Sequence, residues 1–172
     1  MAMNLQTGQR AERKLLITVA EWGTAGSPKR EILGARVEDS SIDLNADIEK
    51  VTDILGITYS DVNKTEPQQT LDPSYVLGGS QISEYLYNAA MENNIQAYNG
   101  AFNVYIIAAF IGDSVEGYKT VKHSGCSIIP TSIGGSNYVA MPIEIHFSNN
   151  ITKGTVDKLT PDFSFTPDET TT

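Results

Sequence analysis

The chain has little of the chemistry that disulfide-bonded, zinc-binding and membrane-spanning proteins require. Among its 172 residues there is one cysteine, Cys126, so no disulfide can form within the chain. The only histidines are His123 and His146, and a structural zinc ion takes four nitrogen or sulfur ligands. The longest apolar-rich stretch, residues 102–112, is shorter than the roughly 18 residues that cross a bilayer. We therefore expect no internal disulfide, no metal site and no membrane segment.

Positive charge is also scarce. Lysine and arginine total 12 against 21 aspartate and glutamate residues, which gives a net charge of -9 and an isoelectric point near 4.6. A protein that grips nucleic acid needs lysine and arginine for its phosphate contacts. If this protein meets DNA, we expect it to do so without binding it specifically. Residues 1–14 lack the apolar segment of a secretory leader, so we expect assembly in the cytoplasm of the cell that makes it.

The common catalytic signatures are absent as well. The sequence contains no phosphate-binding P-loop, no G-x-G-x-x-G and no G-x-S-x-G nucleophile elbow. We therefore expect no catalytic residues and no cofactor. A catalytic site dispersed along the chain cannot be recognised from sequence, and an enzyme of that kind stays open as an alternative.

The pattern of apolar residues predicts one mainly β domain with a single helix. Ile82, Tyr85, Leu86, Ala89 and Ala90 recur at helical spacing, whereas alternating patterns and turn residues dominate elsewhere. We predict an α+β fold in which a β-sandwich or half-barrel is flanked by that helix. The predicted parts are a flexible arm at 1–14, the β-rich domain at 15–158 with a hairpin at 40–64, a loop at 65–79 and the helix at 80–92, and a tail at 159–172.

The stretch "DSSIDLNADIEK", residues 39–50, can be interpreted in two ways. Oxygen-bearing side chains alternate as in a calcium loop, but Leu44 stands where that loop needs glycine and Lys50 where it needs glutamate. The apolar residues between the acids favour instead a strand with one wet and one buried face. Between residues 38 and 66, eight acids stand against two lysines, which is -6 of the chain's -9. Such a face either solubilises a sheet edge or lines a path for something negatively charged.

Residues 37–73 resemble the corresponding segment of the major tail tube proteins of long-tailed bacteriophages. The resemblance is carried by the run "TDILGITYSDVNKTEPQQTLDP" at 52–73, followed by a long loop, one short helix and strands up to residue 148. The closing "TPDFSFTPD" at 160–168 is also similar to the way these chains end. The tubes of type VI secretion systems and of contractile tails share the same plan.

The resemblance implies a structural virion protein located in the tail. Six copies would close into a ring with a continuous inner β-barrel, and stacked rings would form a tube through which DNA is ejected. About 24 strands spaced about 4.8 Å apart and tilted by about 40° leave a bore of roughly 40 Å, which admits a duplex. The partners implied are further copies of the chain and the tail tip or baseplate, tape measure and tail terminator proteins.

On this interpretation the acids line the bore, since carboxylates repel passing phosphates. The predicted lumen-facing residues are Ser41, Asp43, Asn45, Asp47, Glu49, Asp53 and Asp61. Exposed loop residues are predicted to make the contacts between rings, namely Pro67, Gln68, Gln69, Asp72, Pro73 and Tyr75. A small ligand-binding β-barrel or sandwich, whose acids only solubilise it, is the alternative from another class.

Overall fold

A computed structural model describes residues 3–37 and 40–169, so Glu38 and Asp39 of the acidic stretch lie outside the described residues. The strands are β1 (Leu16–Thr24), β2 (Ser27–Ile32), β3 (Ile42–Asp43), β4 (Ala46–Thr52), β5 (Thr58–Thr65), β6 (Gln68–Leu71), β7 (Phe102–Asp113), β8 (Gly117–Pro130), β9 (Ile143–His146), β10 (Ile151–Val156) and β11 (Phe165–Pro167). The helix α1 is Gln81–Met91, and Arg13–Leu15 and Ile95–Ala97 form single 3-10 turns.

Nine of the strands form one antiparallel sheet that bends over on itself. Its order is β2-β1-β7-β8-β9-β6-β3, and β10 and β11 continue from the first part of β8. The 14-residue β8 joins the two halves, because its first part pairs with β7 and β10 whereas Ser127–Pro130 pairs with β9. The expected mainly β architecture, a sandwich or half-barrel with one helix, is confirmed.

The main core fills the space between the two halves of the sheet and α1. Ala20, Val104, Ile128 and Ile145 are each fully buried there. The helix adds Ile82 and Leu86, which lie four positions apart and so point to the same side. Ser80 caps the helix by accepting a hydrogen bond from the N–H of Ser83, and the helix lies within the predicted range 80–92.

The C-terminal segment covers the opposite face of the first half-sheet. Phe163 packs with Tyr105, Ile107 and Val156 in a second buried cluster, and β11 pairs with β10. Residues 159–167, predicted from the sequence to belong to a tail, therefore pack against the β-rich part of the chain. They do so because β1 and β7 present an apolar face on this side, and this segment buries it.

Three further expectations differ from the structure. The loop predicted at 65–79 contains β6, a central strand of the second half-sheet. The hairpin begins at Ala46 and not at residue 40, because Ile42 and Asp43 pair with β6 instead. In the predicted arm at 1–14, Met3 bridges to Ile111 and the N–H of Asn4 donates to the carbonyl of Phe110, 2.9 Å away.

Candidate assembly surface

The β4–β5 hairpin is a two-stranded sheet that buries none of its strand residues. In the part of the chain that the structure describes, β4 and β5 pair only with each other, and every residue in both strands is exposed. The apolar members include Ile48 and Val62, which are 55% and 61% exposed. The expected buried face of this strand is therefore wrong for the single chain. An isolated hairpin of two strands is marginally stable in water, so this one needs another surface to pack against.

The register of the hairpin gives it two different faces. Residues directly opposite each other lie on the same face. Ile48 opposite Val62 forms the base of one face, which Lys50, Thr52, Thr58 and Ser60 continue toward the tip. The other face carries Asp47 opposite Lys64 at its base, then Glu49 opposite Asp61, and Val51 opposite Tyr59 nearer the tip. We call this second one the acidic face.

Glu49 and Asp61 place two carboxylates directly across from each other. Like charges in that position are unfavourable unless a cation or water separates them. The polar neighbours do not neutralise the pair: Asn63 Nδ2 lies 3.4 Å from Glu49 Oε2, and Lys64 Nζ contacts Glu66 Oε1 at 2.8 Å. The same ion pair lowers the pKa of the Glu66 carboxyl. The acidic face therefore suits a water-filled surrounding.

The other predicted lumen residues do not share this face. Asp43 lies in β3 on the body of the domain, where its carboxylate accepts a hydrogen bond from Ser41 at 3.1 Å. Asn45 adopts a left-handed conformation (φ 44°) between β3 and β4, which interrupts the alternation that the sequence indicated. Asp53 Oδ1 accepts hydrogen bonds from the N–H groups of Leu55 and Ile57 and so holds the turn. Only Asp47, Glu49 and Asp61 come together.

Of the residues at 67–75 that were predicted to make contacts between rings, one is buried and the others are accessible. Gln69 is 1% exposed, accepts a hydrogen bond from Thr18 and donates one to Ser40, so it cannot make a surface contact. Its burial follows from the position of β6 inside the sheet. The rest have accessible surface: Asp72 and Pro73 are exposed, and Pro67, Gln68 and Tyr75 are half-buried.

Tyr75 belongs to a surface pocket of about 220 Å³ that the sequence did not reveal. The rings of Tyr75 and Tyr138 meet edge to face with centroids 6.3 Å apart, and a backbone hydrogen bond from Val76 to Val139 ties the two loops together. We call this the aromatic pocket, and its lining is Arg36, Tyr75, Val76, Leu77 and Tyr138.

The buried polar groups of the domain have structural partners. Glu21 accepts hydrogen bonds from Arg30, Asn103 and Tyr105 on neighbouring strands. Burial of the Glu21 carboxyl acts to raise its pKa, but the hydrogen bonds from Asn103 and Arg30 outweigh it and hold the pKa below its ordinary value. Burial, together with the nearby Glu21 charge, raises the pKa of Tyr105 to about 12. Hydrogen bonds between neighbouring strands therefore satisfy the polar groups of this cluster, and none of these groups points toward a ligand site.

His123 and Cys126 are both core residues. His123 Nδ1 lies 3.0 Å from the carbonyl oxygen of Ser148, and its ring packs against Phe147. Burial raises the pKa of the Cys126 thiol, which is fully enclosed. Within residues 3–37 and 40–169, no three metal-ligating side chains come together and no helix is long and apolar enough to cross a membrane.

Comparison with known proteins finds similar folds among solved structures only. No protein-family model and no curated protein matches the chain. A chain in the six-fold symmetrised cryo-EM structure of the anti-feeding prophage baseplate is 13% identical over 90% of this chain and 100% of its own length, with a TM-score of 0.50. Chains from the sheath/tube terminator and the sheath-tube complex of an extracellular contractile injection system, PVC, are 15% and 16% identical.

Those two chains cover 85% and 81% of this one and 98% and 88% of themselves, with TM-scores of 0.48 and 0.44. At 13% identity the baseplate chain shows a common fold. That chain comes from the baseplate of the anti-feeding prophage, and the narrower expectation of a long-tailed phage is not shown by these structures. The fold of this chain is therefore one that a prophage baseplate component also adopts.

Proposed function

We propose that this protein is a non-enzymatic structural subunit of a phage-like tail or injection particle, and that it assembles with copies of itself into stacked rings forming a tube. The observation that carries the proposal is the unpartnered β4–β5 hairpin, whose exposed apolar residues have no core in the single chain. Exposed apolar surface of this extent marks a site of protein contact. The fold shared with a baseplate chain supports the same function.

Open sheet edges provide the lateral contacts. Among residues 3–37 and 40–169, each of β2 and β11 pairs with only one strand, so the first half-sheet ends there in two unpaired edges. Unpaired edges promote association, and two different edges meeting between identical copies give a head-to-tail contact that closes into a ring. The resemblance of residues 37–73 to tail tube proteins gives six copies per ring. The same resemblance adds the tail tip or baseplate, tape measure and terminator proteins as partners.

The acidic face faces the bore on this proposal. Asp47, Glu49 and Asp61 lie together on it, with no neutralising ion pair at Glu49 or Asp61 among the described residues. Carboxylates along a conduit keep a film of water between the wall and DNA phosphates, so that the duplex passes without specific binding. Asp43 lies on the body of the domain and is proposed for the same wall.

Concentration-dependent assembly tests the proposal. We expect light scattering and negative-stain images of the purified protein to show rings or tubes roughly 100 Å across, which is the estimated bore plus a layer of sheet and helix on each side. A matched control replaces residues 46–65 with a short Gly-Ser linker. Glu66 N and Leu44 O are 3.1 Å apart, so the two ends can be joined, and the hairpin strands contribute no buried residue.

The control should fold with an unchanged melting temperature and should not form tubes, although its β2 and β11 edges can still pair into small oligomers. A full-length protein that remains monomeric at every concentration and ionic strength would overturn the proposal. A separate experiment tests whether the acidic face lines the bore. Tubes of the Glu49→Lys, Asp61→Lys double variant should retain added duplex DNA in a salt-dependent way, whereas tubes of the original protein should not. Equal retention by both kinds of tube would show that the acidic face does not line the bore.

A further inference from the structure

The tip of the hairpin, residues 53–57, presents apolar side chains on a fixed turn. Ile54 is fully exposed and Leu55 is 78% exposed. The Asp53 carboxylate accepts hydrogen bonds from the N–H groups of Leu55 and Ile57 at 2.8 and 2.9 Å. These two hydrogen bonds give the turn itself a defined shape even though the strands behind it are only marginally stable alone, and an apolar group on a defined turn loses less entropy when it docks.

The hairpin also carries its tip away from the domain. Seven residues in β4 at about 3.3 Å each place the tip about 20 Å beyond the base of the hairpin. None of the apolar residues at the tip joins either core cluster of the same chain. Among the described residues, no core of the same chain therefore receives Leu55.

The aromatic pocket has the size and chemistry to receive such a side chain. Its volume of about 220 Å³ exceeds the roughly 150 Å³ of an apolar cavity that accommodates benzene. Val76, Leu77 and the rings of Tyr75 and Tyr138 give it apolar walls. The loops that form it are joined by backbone hydrogen bonds from Val76 to Val139 and from Met141 to Ser74.

The charges of the two surfaces are complementary. The hairpin carries four acids, Asp47, Glu49, Asp53 and Asp61, against Lys50 and Lys64. The lining of the aromatic pocket carries one charged residue, Arg36. A cation in the lining favours the approach of an acidic hairpin over that of a basic one.

We propose that the hairpin tip of one copy inserts Leu55 into the aromatic pocket of a second copy. This inference rests on the proposed self-assembly and names the two surfaces that meet in it. The surfaces differ from each other, so each copy donates a tip and receives one, and the contact propagates from molecule to molecule.

Mixed cross-linking tests the contact. Two proteins are made, one with Leu55→Cys and the other, carrying a size tag, with Val76→Cys, and they are oxidised with glutathione disulfide together and separately. The native Cys126 is fully buried and does not compete. We expect the disulfide-linked pair of different size to form in the mixture at several times the yield of any dimer of either protein alone.

Val115→Cys is the matched control for the donor. Val115 is 90% exposed in the turn between β7 and β8, so its thiol is at least as accessible as that of Leu55→Cys. It should cross-link poorly to Val76→Cys. Tyr138→Cys serves as a second receiver, because its side chain is 74% exposed and its replacement removes little packing.

The possible outcomes test the tip-to-pocket contact independently of tube assembly. Cross-linking of Leu55→Cys to both receivers but not of Val115→Cys supports the contact, whether or not tubes are seen. Tubes without this cross-link would overturn the tip-to-pocket contact and leave the proposed function standing. Equal yields from Leu55→Cys and Val115→Cys would also overturn it, since random collision would then explain the product.

Discussion

The guanidinium of Arg30 lies over the ring of Phe163, with its central carbon 4.5 Å from the ring centroid, and its Nη1 donates a hydrogen bond to the Phe163 carbonyl at 2.7 Å. The same side chain pairs with Glu21 through Nε at 2.5 Å. One arginine on β2 thus joins a buried acid on β1 to the C-terminal segment.

Arg30→Ala should destabilise the domain by about 3 kcal/mol, because it leaves the Glu21 carboxylate buried without its cation. The segment around Phe163 should also detach more often, and trypsin or thermolysin should cleave it sooner. Urea unfolding gives the free energy and limited proteolysis gives the detachment. Lys29→Ala, on the same strand and exposed, should change both by little. Similar losses in the two variants would show that the pairing contributes nothing specific.

Stability should fall in acid partly through Glu21. Its folded-state pKa lies below the ordinary value of 4.5, so the stabilisation is present above about pH 4.5 and is lost as the pH falls through the folded-state pKa. Glu21→Gln removes this titration. We expect the difference in urea midpoint between the two proteins to narrow from about pH 6 to about pH 3. A constant difference over that range would mean that Glu21 has no lowered pKa.

Gln69→Leu should cost about 1–3 kcal/mol although it places an apolar residue in an apolar site. The hydroxyl of Thr18 would lose its acceptor and Ser40 Oγ would lose its donor. Gln68→Leu, on the opposite face of the same strand, is the matched control and should change the free energy of unfolding by less than about 0.5 kcal/mol. Urea unfolding of the two variants measures these free energies. Equal values would show that the hydrogen bonds of Gln69 do not stabilise the domain.

Charge exchange across the hairpin should change its local stability. Either Glu49→Lys or Asp61→Lys turns a like-charge pair into an opposite-charge pair and should stabilise the hairpin by about 0.2–1 kcal/mol. The double variant restores like charges and should lose the gain. Amide hydrogen exchange of β4 and β5 measures the effect without reference to the core. Additive effects in the double variant would indicate that the two side chains do not interact.

Gly154→Ala should prevent β11 from docking. A β-carbon at this position would overlap the carbonyl oxygen of Thr166 and approach the ring of Phe165 at 2.8 Å. Gly26→Ala, which has no atom within 4 Å of the new carbon, is the control. We expect faster proteolysis after residue 156 in the Gly154→Ala variant alone. Equally slow proteolysis of both variants would contradict the close approach of β11 to Gly154.

The parts of the fold that follow local periodicity could be predicted from the sequence. The helix has apolar residues at a spacing of three and four and a serine cap, and β7 is a long apolar-rich run. The role of Gln69 could not be predicted, because its partners Thr18 and Ser40 are 51 and 29 residues away. A glutamine in a segment with two prolines is more typical of a loop.

The surroundings of the acidic stretch could not be predicted from the sequence, for a different reason. Alternation of apolar and polar residues in β4 indicates a buried face, and the alternation is real, but nothing in the described part of the chain buries it. Only a second molecule can complete a pattern of this kind, and one sequence does not reveal which surface that molecule offers. The acids at Asp47, Glu49 and Asp61 were predicted to act together, whereas the left-handed turn at Asn45 separated Asp43 from them.

The exposed hairpin has a consequence for how the protein folds. If its apolar residues find their core only on a neighbouring molecule, then β4 and β5 complete their folding during assembly, and their stability depends on the concentration of the protein. Dilution would loosen these strands while the rest of the domain keeps its structure. The amount of protein made would thus decide when the hairpin becomes rigid, so that subunits stay adaptable while scarce and become fixed once enough of them are present.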